Sequence, residues 1–288
     1  MNLTFTKIGV VGAGTMGISV TTDLLLHGIE TVLIDVSDQK LIEARDGIIK
    51  ALRFAPLLLK SALRLSEKDV DEKVMFSTSL NDLTDCDFVV ENVTEVWEIK
   101  EMVYKQLDVI CSPDVCFGMN TSCTSITQAG SLLKNPARLV GVHFMNPVYL
   151  KPTVEVIRGF HTSQPTLDAL DTLLKQLGKE SIIVNDYPGF VSNRISHLFM
   201  NEAIYVVQDQ VADAEQVDAI FKKCYGHTMG PLETADLIGL DTVMHSIDVL
   251  YESYHDSKFR CCPLLKKMVQ AGKLGRKSGS GFYHYANS

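Results

Sequence analysis

The sequence predicts an α/β fold, a doubly wound parallel sheet followed by a second, all-helical domain. Three observations carry this. A short apolar strand near the start runs straight into a glycine-rich turn and a helix. Strand-like and helix-like segments then alternate as far as Asp186. After Asp186-Tyr187-Pro188-Gly189 the strand patterns stop and helical periodicity takes over.

The opening strand is Ile8, Val10 and Val11, an unbroken apolar run that suits a strand buried on both faces. Gly12, Gly14 and Gly17 follow in G-x-G-x-x-G spacing, with Thr15 and Met16 between the second and third glycines. Gly12 allows a tight turn, Gly14 a close backbone approach to a pyrophosphate, and Gly17 close packing of helix on strand. The helix reads from Ile18 to His27, and its first amides are free to face phosphates. Thr31 to Ile34 forms the next strand and ends at Asp35, where a carboxylate can bind ribose hydroxyls and would repel a 2′-phosphate. This strand–turn–helix–strand–acid context turns a weak motif into a Rossmann-type NAD site.

Lys40 to Leu52 is an amphipathic helix, and Pro56 marks its break. Further strands are expected at Val74–Ser77, Asp87–Glu91, Cys116–Asn120, Leu139–Phe144, Val154–Ile157 and Ser181–Val184, with helices at Glu98–Val109 and Ile126–Leu133. A long helix covers Phe190 to Gln210. The expected division is a dinucleotide domain over 1–185, with a helical hairpin at about 38–66, and a helical domain over 186–288. The second domain is small for a free-standing bundle, so a homodimer is expected.

Composition narrows the function. The 288 residues carry 46% hydrophobic and 22% charged side chains, enough for a globular core. A net charge of −8 without a basic run argues against nucleic-acid binding. No apolar stretch reaches transmembrane length, and the strand begins too early for a secretory signal. Seven cysteines lie scattered without metal-ligand spacing and read as reduced thiols of a cytoplasmic protein.

In open α/β sheets ligands bind beyond the carboxyl ends of the strands. Those ends supply Glu91, Asn120-Thr121-Ser122, His143-Phe144-Met145-Asn146-Pro147 and Glu155. A nicotinamide enzyme acting on an alcohol needs a base near neutral pH, which suits His143. Glu155 is the candidate to orient it, and an anionic neighbour favours the imidazolium. Alone, His143 would read as a core histidine and Glu155 as an edge charge. Ser122 would read as a helix cap and Asn193 as a helix–loop bridge.

These segments, with Val154-Glu155-Val156-Ile157, Pro188-Gly189-Phe190-Val191-Ser192-Asn193-Arg194, Met229-Gly230-Pro231-Leu232 and the tail from Gly275 to Tyr283, resemble the L-3-hydroxyacyl-CoA dehydrogenase family over essentially the whole chain. The resemblance implies reversible, NAD-dependent oxidation of a 3-hydroxyacyl thioester to the 3-oxoacyl thioester. It implies His143 as general acid/base, Glu155 as its electrostatic partner, and Ser122 and Asn193 on the substrate oxygens, in a site between the two domains. Glu95, Lys100, Ser122, Asn146 and Lys277 match positions near the cofactor. Cys123 stands where the family usually has a second serine.

The helical hairpin departs from the family. Where coenzyme A members place a serine and a lysine that touch CoA, this chain aligns Ala51 and Leu58 within an apolar run, with Lys60 and Ser61 near enough to substitute. The acyl group is therefore expected on CoA or, alternatively, on an acyl carrier protein in polyketide or secondary-metabolite biosynthesis. A 3-hydroxyisobutyrate-type dehydrogenase is the first rival, but its lysine is absent from Pro188–Arg194. A non-catalytic NAD-binding protein is the second, and the retention of His143 with Glu155 argues against it.

Overall fold

β1 (Lys7–Val11) sits near the middle of an eight-stranded sheet ordered β3-β2-β1-β4-β5-β6-β7-β8. The other strands are β2 (Glu30–Ile34), β3 (Val74–Ser77), β4 (Phe88–Glu91), β5 (Cys116–Asn120), β6 (Leu139–His143), β7 (Thr153–Arg158) and β8 (Glu180–Asn185). This computed structural model describes residues 4–59 and 63–285. The chain divides into two compact units, Met1–Tyr187 and Pro188–Ser288. Residues of β1, β4, β5 and β6 such as Ile8, Val10, Phe88, Val89, Phe117 and Val140 have no exposed surface, as expected of strands covered on both faces.

The sheet is parallel from β3 through β6. β7 then runs antiparallel to β6, and β8 parallel to β7, so the expected all-parallel sheet is corrected to a mixed one. The reason is local. Only Phe144 to Pro152 separates β6 from β7, too short for a helical crossover, whereas α6 (Gln164–Gln176) carries the chain from β7 back to a parallel β8. The reversal sets His143 directly across from Glu155 in register.

α1 (Thr15–Leu26) begins earlier than the apolar pattern indicates, because Gly14 already serves as its N-cap. α2 (Asp38–Leu58) runs through Pro56 rather than breaking there. Proline sits in the last turn, where little helix remains to lose, and Leu59 N–H still closes on the Ala55 carbonyl at 2.8 Å. α2 leads to α3 (Glu67–Lys73), so a hairpin forms, but Lys60 and Ser61 lie outside the described residues. α4 (Trp97–Ile110) and α5 (Ile126–Gly130) complete the first unit. No helix among the described residues is long and apolar enough to cross a membrane.

The second unit is helical: α7 (Ser192–Gln208), α8 (Ala214–Cys224), α9 (Pro231–Ile238), α10 (Leu240–Tyr254) and α11 (Pro263–Gln270). α7 starts at Ser192 because Gly189 and Phe190 both take positive φ, which a right-handed helix cannot contain. Its core is Met200, Ile204, Leu232, Val243, Ile247 and Leu265. The glycine-rich tail folds onto Asp236, which is fully buried and accepts from Phe282 N–H, Tyr283 N–H and the Tyr285 hydroxyl. A Cβ on Gly281 would lie 2.0 Å from Asp236 Oδ1, so glycine is required there. Asp236 thus anchors the tail rather than serving a helix end or domain interface.

Candidate active site

The glycine turn builds a cradle at the end of β1. Gly12 takes φ +99°, and a Cβ there would lie 2.7 Å from the Asn92 carbonyl oxygen. A Cβ on Gly17 would lie 1.8 Å from the Gly12 carbonyl oxygen, so α1 meets the turn at the closest possible approach. Gly14 differs: its Cβ would meet no protein atom within 4 Å and would point into open space. The first turn of α1 has neither a side-chain cap nor an acidic residue, which leaves its positive end clear for an anion. Gly12, Gly14, Thr15, Met16 and Asp35 line a cavity of about 1030 Å³. One Asp35 oxygen accepts from Ala13 N–H at 2.8 Å, and a carboxylate has a second oxygen for a ribose hydroxyl. The donor set and the space at Gly14 fit a dinucleotide.

Beyond this cavity, polar side chains tie the strand ends together. Asn92, on its wall, accepts from Asn120 Nδ2 at 2.7 Å, and Asn120 Oδ1 accepts from Phe144 N–H at 3.3 Å. Glu95 accepts from the Thr121 hydroxyl at 2.7 Å and from Ser122 N–H at 2.8 Å, which sets the loop after β5. Glu91 is fully buried; it accepts from Lys100 Nζ at 3.0 Å on both oxygens, from the Tyr104 hydroxyl at 3.1 Å and from Val93 N–H at 2.6 Å. Burial pushes the Glu91 carboxyl up, and the Lys100 ammonium pulls against that shift. Glu91 is therefore not a ligand-facing acid.

His143 ends β6. Its Nδ1 lies 2.9 Å from Glu155 Oε2 on the facing strand, and its Nε2 lies 3.2 Å from Ser122 Oγ at the end of β5. Both side chains of the His143–Glu155 pair are nearly buried. A carboxylate on Nδ1 fixes the proton there in the neutral ring, so Nε2 is the nitrogen that accepts a proton. Such an imidazole can exchange a proton with a group placed beside Ser122.

Residues 7–187 match the family model of the 3-hydroxyacyl-CoA dehydrogenase NAD-binding domain, and residues 189–285 match that of the family's C-terminal domain. The chain belongs to the 3-hydroxyacyl-CoA dehydrogenase family. A probable 3-hydroxybutyryl-CoA dehydrogenase from Deinococcus radiodurans is 43% identical over 279 residues, covering 97% of this chain and all of the relative. One from Bacillus subtilis is 40% identical, covering 97% of each chain. The crystal structure of an (S)-3-hydroxybutyryl-CoA dehydrogenase from Ralstonia eutropha superposes with a TM-score of 0.92 at 37% identity, covering 99% of this chain and all of that one.

Within this 3-hydroxyacyl-CoA dehydrogenase fold, the site residues expected from sequence fall into three groups. The structure brings His143, Glu155, Ser122 and Glu95 together at adjoining strand ends, and Gly12, Gly14, Thr15, Met16 and Asp35 around the cavity. Asn146 lies exposed on the loop after β6. Lys100 has no exposed surface, so the expectation of a direct cofactor contact is corrected: its Nζ lies 3.0 Å from Glu91 and 3.6 Å from Glu95, and it acts on the site through those acids. In the second unit, Asn193 opens α7, and its carbonyl oxygen lies 3.0 Å from His197 Nδ1. Lys277 pairs with Asp241 at 2.6 Å. Arg194 lies 4.7 Å over the Tyr254 ring, a packing role. Burial pushes the Cys123 thiol up to about 11, which agrees with giving it no nucleophilic part. The Glu91–Lys100–Tyr104 cluster had no signal in sequence beyond an acid at a strand end.

Proposed function

We propose that this dehydrogenase interconverts a 3-hydroxyacyl thioester and the corresponding 3-oxoacyl thioester, with His143 as general acid/base. The observation that carries this is one imidazole held on Nδ1 by Glu155 at 2.9 Å and turned on Nε2 toward Ser122 at 3.2 Å. The first-turn amides of α1 and the Gly12–Gly17 turn hold the pyrophosphate, and Asp35 holds the ribose hydroxyls. NAD, when bound, supplies the hydride acceptor. In oxidation, His143 Nε2 takes the proton of the substrate hydroxyl, and the imidazolium forms against the Glu155 carboxylate. In reduction the same Nε2–H returns the proton to the carbonyl oxygen. Ser122 Oγ hydrogen-bonds that oxygen and is itself fixed through its N–H on Glu95. Asn146, Asn193 and Lys277 enter this reading from the family resemblance.

The printed names of the relatives support a short acyl group on CoA. A second reading, an acyl group on an acyl carrier protein, rests on the apolar end of α2, where Phe54, Leu57 and Leu58 are 51%, 78% and 61% exposed. Such a patch suits a protein partner better than a nucleotide. Ile195 and Tyr225, 63% and 70% exposed, support a homodimer in the same way.

Kinetics separate the carriers. One 3-oxoacyl group offered with NADH on CoA and on a carrier protein is expected to turn over with higher kcat/KM on CoA if the first reading holds. The opposite order supports the carrier protein, and turnover of neither removes both.

A further inference from the structure

A buried ammonium joins the cofactor helix to the loop between the catalytic partners. Lys179, between α6 and β8, is 6% exposed. Its Nζ donates to the Val148 carbonyl at 2.8 Å and the Lys151 carbonyl at 2.9 Å, and lies 3.1 Å from Asp23 Oδ2. That last contact is a close ion pair without the alignment of a hydrogen bond. Asp23 stands on α1 and is itself 1% exposed; His27, one turn on, is its other charged neighbour, at 3.5 Å. Ser19, one turn before Asp23, accepts from Val148 N–H at 2.7 Å through its hydroxyl. Val148 is thus held at both its N–H and its C=O, each time by α1 or by a residue paired to α1. Val148 lies between His143 and Glu155 in the chain and two residues beyond Asn146.

We propose that Lys179, with Asp23 and Ser19, is a positioning group that fixes the 144–152 loop relative to the helix that receives the cofactor phosphates. The cost of burying a charge pair argues for a geometric task, since an apolar side chain of similar length would fill the same space at no desolvation cost. An ammonium has three donors and no acceptor, and here all three directions are committed, two to the loop and one to α1. The loop therefore has one seating, and with it Asn146 and the approach of β6 to β7. The kinetic part of the proposal rests on the dehydrogenase reading above.

The test uses the paired variant Asp23→Asn with Lys179→Met, which leaves no uncompensated buried charge, and Ser19→Ala, which removes only the hydroxyl acceptor. Both are expected to fold, with kcat for NADH-dependent reduction down about tenfold in the paired variant, since a misplacement of about 1 Å costs about 10²-fold. KM for NADH should rise while KM for the thioester stays unchanged, a split that lost stability alone would not produce. Amide exchange at Val148 is expected to speed up in both variants, and this readout needs no turnover, so it holds even if the substrate assignment fails. Should the paired variant not fold, Ser19→Ala decides. Folded variants with unchanged exchange at Val148, unchanged kcat and unchanged KM for NADH would overturn the proposal, as would activity lost only in proportion to the folded fraction.

Discussion

His143→Gln is expected to lower kcat for 3-oxoacyl thioester reduction by about 10³-fold, the scale of a lost general acid. The loss is in chemistry, so NADH affinity should stay near that of the parent: the cradle of Gly12, Gly14 and Asp35 is untouched. Glutamine keeps a hydrogen-bonding group near Ser122 and Glu155 and has similar bulk, so the fold should persist. It cannot carry a proton between states. Titrating NADH fluorescence beside steady-state kinetics separates the two effects. A variant that keeps most of the parent's kcat would place the acid elsewhere.

The glycine turn yields the second large effect, and two substitutions in it should behave oppositely. Gly17→Ala puts a methyl 1.8 Å from the Gly12 carbonyl oxygen, a backbone atom that has no rotamer to retreat into. The turn must open, so both melting temperature and NADH binding should fall, by several kcal/mol in stability on the order of other severe backbone clashes. Gly14→Ala puts its methyl into open space at an ordinary φ of −77°, so stability should hold or rise slightly. NADH affinity should nevertheless drop by about 100-fold or more, because a methyl occupies the approach a pyrophosphate needs. Thermal melts beside NADH titrations check both. Gly14→Ala binding NADH as the parent does would remove the phosphate cradle from this account.

The parts of the fold visible in the sequence are those governed by local rules. The apolar runs of β1, β4 and β5 and the glycine spacing after β1 depend on neighbours in the chain, and they read correctly. The pairing of His143 with Glu155 was legible as a candidate because both lie on successive strands. Its geometry depended on β7 reversing, and the short Phe144–Pro152 connection was the available cue. What stayed hidden depends on three-dimensional placement of charge. Lys100 near the start of a helix and Lys179 after Leu177-Gly178 look like solvated cations, and only the packed sheet reveals the buried acids Glu91 and Asp23 that hold them. Pro56 misled for the opposite reason: a breaker in the last turn of a helix has little left to break.

Everything turns on whether an imidazole at the end of β6 serves hydride exchange with a thioester-linked carbonyl. The direct measurement follows NADH absorbance in the intact protein while the 3-hydroxyacyl thioester is quantified in the same reaction, with CoA and carrier-protein substrates in parallel. The account predicts one hydroxyacyl thioester formed per NADH consumed on at least one carrier. Tight NADH binding with no hydroxyacyl product on either would contradict it.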